Sequence, residues 1–492
     1  MSIVAVMDQG TSSARMSIFD ANGERIGFSQ KTLQTHLPCS GWVEVFPEDI
    51  WAATLSTWRE ALQSAKITAK DVDALGISNQ RETVVVWHRE TGLPIYNAIV
   101  WQDRRTQNMC DEWRKSIDPE ALYQCTGLRL DPYFSASKIA WILDHVDGAK
   151  EQANRGLLMC GTIDAFIIWR LTEGEAWTAD ITNASRTLLF DIHQRCWSEK
   201  LLETFGIDER MLPKVSENIG RLGEVRVKSW QANTPILAVM GDQQSALVGQ
   251  GCTRPGMAKM TYGTGGFLMV NTGPETISKQ AGLLQTIAYQ IKHQCCYALE
   301  GSLFSTGSTI RWLRDHMQMI GHDADSEVYA KSVKDNGGVY LVPAFVGLAA
   351  PHWQARARAS WVGMSFSTRP EHMVRAALEA VAYQTRELIE TLHNHTHALM
   401  TSLRVDGGMT NNTWLMQFLA NQLGLEVVVA QDQESTTRGI WHLLRVQLDG
   451  TSFGDMVWQS GEIYRPQVKQ KDMHDDWYAS YKNAVKQVLA LS

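Results

Sequence analysis

At 492 residues the chain is too long for one hydrophobic core and should fold as two large domains or three smaller ones with a cleft between them. Its 46 Lys and Arg against 53 Asp and Glu give a formal net charge of −7 without any long basic run, which argues against nucleic acid or an anionic membrane as principal partner. No apolar stretch reaches the ~18 residues of a membrane span, and residues 3–7 lack the length and basic flank of a signal peptide, so a cytoplasmic enzyme acting on a small molecule is expected. The eight cysteines show no Cys-x-x-Cys spacing and read as buried thiols. For the adjacent Cys295 and Cys296, metal binding is the alternative, without other ligands nearby.

Residues 3–7 read as a buried strand, Asp8-Gln9-Gly10-Thr11-Ser12-Ser13 as a polar turn, and residues 15–19 as the returning strand. The Asn22-Gly23 turn signal then leads into a third strand, residues 25–30, so the chain opens on an antiparallel meander. At the first tip Gly10 lets backbone N–H groups approach an anion, Thr11, Ser12 and Ser13 add hydroxyls, and Asp8 stands where a carboxylate can hold Mg²⁺ directly or through water. The tip is either a phosphate grip or an ordinary polar hairpin turn.

Residues 47–64 read as a helix carrying Trp51 and Trp58, and residues 74–78 as a strand ending at Asn79-Gln80-Arg81-Glu82. An Arg-Glu pair at a strand end can donate to and accept from neighbouring hydroxyls of one ligand, and Trp101 offers a flat apolar wall for its carbon chain. The alternative is a surface ion pair beside a core tryptophan. Residues 131–142 open a helix with Tyr133 ahead of its apolar face, residues 182–186 form a polar connection, and residues 213–233 are loop-rich.

The apolar run 236–240 is a buried strand that stops at Gly241, delivering Asp242 to a strand end, where α/β folds gather their chemistry. Asp242 is therefore either a catalytic carboxylate or the N-cap of the helical segment 243–248. After it the opening motif recurs: residues 257–262 as strand, Gly263-Thr264-Gly265-Gly266 as turn, residues 267–270 as returning strand. This recurrence about 250 residues on suggests a duplicated fold whose halves each aim a Gly-Thr hairpin into a shared cleft. Residues 301–315 read as an active-site loop entering a helix, with Gly307 as a point of close backbone approach. A strand at 339–345, a long helix at 371–393, a strand at 403–405 ending in Asp406-Gly407-Gly408, a helix at 414–423 and an amphipathic helix at 473–491 complete the chain.

These polar strand ends make the chain resemble the FGGY carbohydrate kinases, nearest to members that phosphorylate glycerol. The resemblance rests on Asp8-Gln9-Gly10-Thr11, Asn79-Gln80-Arg81-Glu82-Thr83, Trp101-Gln102-Asp103-Arg104, Asp131-Pro132-Tyr133-Phe134-Ser135, Gly241-Asp242-Gln243-Gln244, Tyr262-Gly263-Thr264-Gly265 and Asp406-Gly407-Gly408. It also covers Tyr133-x-Ser135-x-x-Lys138-Ile139-x-Trp141 and the pattern from Gly363 through His372 to Glu379. It implies an α/β, actin/hexokinase-like fold of two domains, residues 1–248 on the polyol side and 249–492 on the nucleotide side, each with a ribonuclease H-like mixed-sheet core.

The resemblance further implies ATP-dependent phosphorylation of glycerol to sn-glycerol 3-phosphate, with ATP and Mg²⁺ required, in a cytoplasmic homo-oligomer, dimer or tetramer. Arg81, Glu82, Tyr133, Asp242 and Gln243 would bind the polyol hydroxyls, Trp101 and Phe267 would flank its carbons, and Asp242 would be the general base. Thr11, Ser12, Ser13 and Arg15 would meet the phosphates from one side and Thr264 and Gly307 from the other. Arg311, Gly408 and Asn412 would lie at the nucleotide, and Asp8 and Asp242 near Mg²⁺. Xylulose kinases tend to carry Met-His where Arg81-Glu82 stands; erythritol, a ketose such as xylulose, or a sugar-sensing role without turnover are the alternatives. The sequence departs from the family at Arg311, commonly Gln, and at residues 434–442, commonly a small Ala- and Gly-rich helix start. Residues 218–232 lack the Gly-rich loop that binds fructose 1,6-bisphosphate in many bacterial relatives, so no inhibition by that sugar is expected.

Overall fold

A computed structural model describes residues 2–276, 282–394, 400–455, 458–467 and 471–491. The opening meander forms as expected: the strand Val4–Gln9 pairs antiparallel with Ser13–Phe19, which pairs antiparallel with Arg25–Thr32. Val4–Gln9 is buried along its whole length, as suits a strand covered on both faces, whereas Arg25–Thr32 at the sheet edge is much more exposed. Val4–Gln9 also runs parallel to Ala74–Asn79, and that strand runs parallel to Pro235–Gly241, so Gln9, Asn79 and Gly241 finish side by side. This alignment delivers three polar loops to one rim.

The arrangement occurs a second time. Ala258–Tyr262 pairs antiparallel with Gly266–Gly273 and parallel with Ser402–Asp406, which runs parallel to Glu426–Ala430. The third meander position is taken by Gln294–Leu303, which forms a hairpin with Leu284–Ile291 outside it. Duplication, faint in the sequence, is thus plain in topology: two mixed sheets, each aiming a Gly-Thr hairpin at the same space.

The halves exchange helices across their seam. Asp242–Gly249 leads out of the first sheet and packs on the second, whereas Ser435–Asp449 leads out of the second and packs on the first. The two helices meet through small residues: a Cβ on Gly249 would lie 1.8 Å from the Ser435 carbonyl oxygen, and one on Gly439 would lie 2.0 Å from that of Ser245. Contact this close needs glycine on both sides.

Several expectations change. The connection at residues 182–186 follows and includes part of a fully buried helix, Ile181–Ala184, and residues 213–233 contain the strand Ile219–Glu224, which pairs with Pro235–Gly241. The helix expected from residue 131 begins at Ser135, because Asp131 turns the chain first by accepting the Tyr133 N–H. Residues 301–303 belong to the strand Gln294–Leu303, and the helix proper is Gly307–Asp315. The thiols are not uniformly buried either, since Cys39 and Cys196 are exposed.

Candidate active site

The two hairpin tips face one another across a cavity of about 340 Å³ lined by Thr11, Ser12, Arg81, Glu82, Trp101, Tyr133, Asp242, Gln243, Thr264 and Phe267. Three rings shape its apolar side: Trp101 stands edge-on to Tyr133 at 5.6 Å and to Phe267 at 6.1 Å between centroids. The Trp101 indole N–H donates to the Thr11 hydroxyl at 2.9 Å, tying this wall to the first hairpin. Tyr133 is held from behind by Lys138, whose buried ammonium donates to the carbonyls of Pro132, Tyr133 and Phe134. Burial pushes Lys138 down to about 8, against the pull of the Glu82, Asp103 and Asp131 carboxylates, which favour its charged form.

Arg81 and Glu82 form a sharp turn. Glu82 has φ of 61°, unusual for a non-glycine residue, and the Thr83 N–H reaches back to the Arg81 carbonyl at 2.7 Å. The Ser135 hydroxyl fixes the turn by donating to the Glu82 carbonyl. Such strain in a buried, polar strand end makes Arg81 and Glu82 candidates for function. Behind the turn stand two residues that sequence reasoning missed, Arg186 and Glu300. Glu300 receives both arms of Arg81 at 2.6 and 3.1 Å and also Arg186 at 3.0 Å, while Arg186 donates its Nε–H to Glu82 at 2.6 Å. Burial acts to raise Glu300, but the two guanidinium groups outweigh it and hold the carboxyl at about 2.

Asp242 is not the N-cap; Gly241 is, and Asp242 is the first residue of its helix. One carboxylate oxygen accepts the Gln243 N–H at 2.7 Å and lies 3.4 Å from Arg81 Nε. The other accepts only the Gln243 side-chain amide at 3.3 Å. Burial raises the Asp242 carboxyl above its ordinary value, against the pull of Arg81 and Lys259, giving it basicity at neutral pH. Lys259, also missed in the sequence, donates to the Gln243 side-chain oxygen at 2.5 Å and to Thr261 at 3.0 Å. Asp8, on the neighbouring strand, is pushed up to about 7 by burial, with Arg15 3.8 Å away as its partial counter-charge.

Among the described residues no group of three or more His, Cys, Asp and Glu side chains is built to hold a metal. Asp8 and Asp242 nevertheless fit Mg²⁺: a buried and a half-buried carboxylate feel each other's charge, and this ion is commonly held by one or two carboxylates plus substrate phosphates.

Beyond the Gly263-Thr264 tip opens a second cavity, about 490 Å³, with Gly307, Arg311, Gly408 and Asn412 in its lining. Gly307 is in closest contact with the hairpin: its N–H donates to the Gly263 carbonyl, and a Cβ there would lie 2.5 Å from that oxygen. Its contribution is therefore close packing, since its N–H is already engaged. Arg311 donates to the Thr264 hydroxyl at 2.7 Å, and Asn412 caps the helix Thr413–Leu423. Ser13 does not line either cavity; its carbonyl closes the first hairpin by accepting the Gly10 N–H. Arg15 likewise stays outside both linings, between Asp8 and Glu434, whose carboxylate is 3.6 Å away.

Two lobes of one topology, each offering a Gly-Thr hairpin to a cleft with a hydroxyl-binding pocket beside a larger cavity, define a two-lobed small-molecule kinase. The chain belongs to the FGGY family of carbohydrate kinases: residues 3–249 match its N-terminal domain and residues 258–446 its C-terminal domain. It is 44% identical over 483 residues to a glycerol kinase of Coxiella burnetii (strain RSA 331 / Henzerling II), covering 97% of this chain and 96% of that one. It is 48% identical over 436 residues to a glycerol kinase of Shewanella piezotolerans, covering 89% and 88%. The crystal structure of Plasmodium falciparum glycerol kinase with ADP matches with a TM-score of 0.92 at 33% identity, covering 99% of this chain and 98% of that one. The actin/hexokinase-like expectation holds. No helix among the described residues is long and apolar enough to cross a membrane.

Proposed function

We propose that this protein transfers the γ-phosphoryl group of ATP to a terminal hydroxyl of glycerol, yielding sn-glycerol 3-phosphate and ADP. The observation that carries the reading is the shared lining of one small cavity by a charged hydroxyl clamp, a basic carboxylate and aromatic walls, continuous at Thr264 with a second cavity. Glu82 accepts from one hydroxyl and Arg81 donates to its neighbour, while Tyr133 and Gln243 complete the polar ring and Trp101 and Phe267 cover the carbons. Asp242 takes the proton of the attacking hydroxyl as its oxygen bonds to phosphorus and the bond to the bridging oxygen of ADP breaks. Thr11 and Ser12 serve the phosphates from the first hairpin, with Ser13 closing its turn and Arg15 behind it beside Asp8; Thr264 serves them from the second, with Gly307 packed against its tip, and Arg311, Gly408 and Asn412 serve the nucleotide. Asp8 and Asp242 would hold Mg²⁺, which supplies charge neutralisation of the phosphates.

The test is ATP consumption with glycerol, erythritol, xylulose and ribulose in parallel. Glycerol is expected to give the highest kcat/KM; no turnover above the ATPase background with glycerol would overturn the reading, and turnover confined to another polyol would name that substrate instead. A division at residues 248/249 is supported by the change of sheet between Pro235–Gly241 and Ala258–Tyr262, on either side of the helix Asp242–Gly249. Insensitivity to fructose 1,6-bisphosphate is supported by the strand Ile219–Glu224 and the short turn Lys228–Trp230 that occupy much of the segment in question. A homo-oligomer is supported by exposed Met364 and Phe366, which an interface would cover; light scattering on the purified protein tests it.

A further inference from the structure

The cluster behind the polyol pocket contains four buried charges: Arg81 and Glu82 on the first half's rim, Arg186 beyond the helix Ile181–Ala184, and Glu300 on the second half's strand Gln294–Leu303, with exposures of 3, 2, 0 and 0%. Neither Arg186 nor Glu300 lines the cavity. Burying such a set is a poor route to stability, because desolvation offsets most of the mutual attraction and apolar residues of similar volume often serve as well. What the set does achieve is a fixed pattern of donors and acceptors at the pocket.

A guanidinium has five N–H groups in a rigid fork. In Arg81 two are engaged by Glu300, one by Gln244 at 3.2 Å, and Nε faces Asp242 at 3.4 Å, which leaves one Nη2 proton for a ligand. Glu82 is treated the same way: Arg186 engages Oε1, and no described donor meets Oε2. Glu300 with Gln244 and Asp242 therefore leaves one donor on Arg81, and Arg186 leaves one acceptor on Glu82, a match for two hydroxyls on adjacent carbons. We propose that Glu300 and Arg186 are positioning residues that set the polyol clamp, so that polyol selectivity depends on a carboxylate contributed by the half of the molecule carrying the nucleotide cavity. This rests on the reading of Arg81 and Glu82 as the polyol clamp.

The experiment compares wild type with Glu300→Gln, Glu300→Asp and Arg186→Lys, each checked for folding by circular dichroism. KM for glycerol and for ATP, kcat, and the glycerol-to-erythritol ratio of kcat/KM are measured, with calorimetric binding of glycerol in the absence of nucleotide. The folded variants are expected to raise the glycerol KM and Kd by about 10-fold or more, to leave the ATP KM within about twofold, to change kcat much less than KM, and to reduce polyol discrimination. Glu300→Asp, which keeps the charge, should recover part of the loss seen in Glu300→Gln. Unchanged glycerol KM in any folded variant overturns the proposal, as does a loss confined to thermal stability or to kcat. If none of the three folds, the network is structural and the proposal falls. Failure of the functional reading looks different: wild type itself then does not turn over glycerol, and the same KM ratios are read on whichever panel polyol it does phosphorylate. A wild type that neither binds nor phosphorylates any of the four overturns both.

Discussion

At the scale of single residues the site is a matter of which carboxylates are held ionised and which are left basic. Asp242 keeps one oxygen lightly engaged and is raised by burial, whereas Glu300, nearby but doubly bound by arginine, is held at about 2. Asp242→Asn is expected to keep glycerol affinity within about threefold and to lower kcat by about 100-fold or more, because general-base assistance is typically worth 10²–10⁴; steady-state kinetics with calorimetric binding checks both halves. Glu300 yields a pH prediction. Its folded value lies below its unfolded one, so its ionised form stabilises the fold above the ordinary carboxyl range, and that contribution is lost as pH falls towards 2. Urea midpoints measured from pH 6 down to 3 should therefore fall more steeply for wild type than for Glu300→Gln. Asp242, Arg81 and Glu82 were legible in the sequence because each stands at the polar end of an apolar run, whereas Tyr133 was reached only through the family resemblance. Arg186 and Glu300 were not, because their partners lie 104 to 219 residues away. The one local signal was Glu300 itself, an acid amid Ala298, Leu299 and Gly301.

At the scale of elements, the hairpins and parallel strands were readable from apolar runs broken by glycine, while the hairpin of Leu284–Ile291 and Gln294–Leu303 was not: its register is set by Gly266–Gly273 in its own half, and its outer strand is fastened by Gly127 and Asn218 of the other. The departure at residues 434–442 now has a physical account. Gly439 keeps the close helix contact with Ser245, and the larger side chains reach outwards instead: Arg438 pairs with Asp432 at 2.6 Å and donates to the Gly23 carbonyl, and Trp441 packs beside Phe19. Glu434 is the residue with a consequence for nucleotide. It holds Arg15 in a part-exposed ion pair, of a kind worth about 0.2–1 kcal/mol, which in the proposed function would compete with the phosphates for that guanidinium. Glu434→Gln should therefore lower the ATP KM by about 1.5- to 5-fold while leaving the glycerol KM unchanged, as initial-rate measurements with each substrate varied in turn will register.

At the scale of the whole molecule, the seam between halves carries the chemistry, and the hairpin that bears Glu300 is fastened across it. Gln285 donates its N–H to the Gly127 carbonyl at 2.7 Å, Gln290 and Asn218 are paired, and the Tyr297 hydroxyl donates to the Ile192 carbonyl. Gly127 closes the helix Pro119–Thr126 with φ of 71°, and a Cβ there would lie 2.2 Å from the Gln285 carbonyl oxygen. Gly206 closes the helix Glu199–Phe205 with φ of 67°, and a Cβ there would meet nothing within 4 Å. Alanine at either position carries the same left-handed backbone penalty, about 1–2 kcal/mol, so the pair separates backbone cost from seam packing. Gly206→Ala should lower Tm by that cost alone and leave both KM values as in wild type. Gly127→Ala must also push the hairpin away from the first half, and with it Glu300, so it should lower Tm further and raise the glycerol KM several-fold. Scanning calorimetry and initial rates on the two variants decide the matter: equal effects would mean that the seam tolerates the displacement and that the clamp does not depend on it.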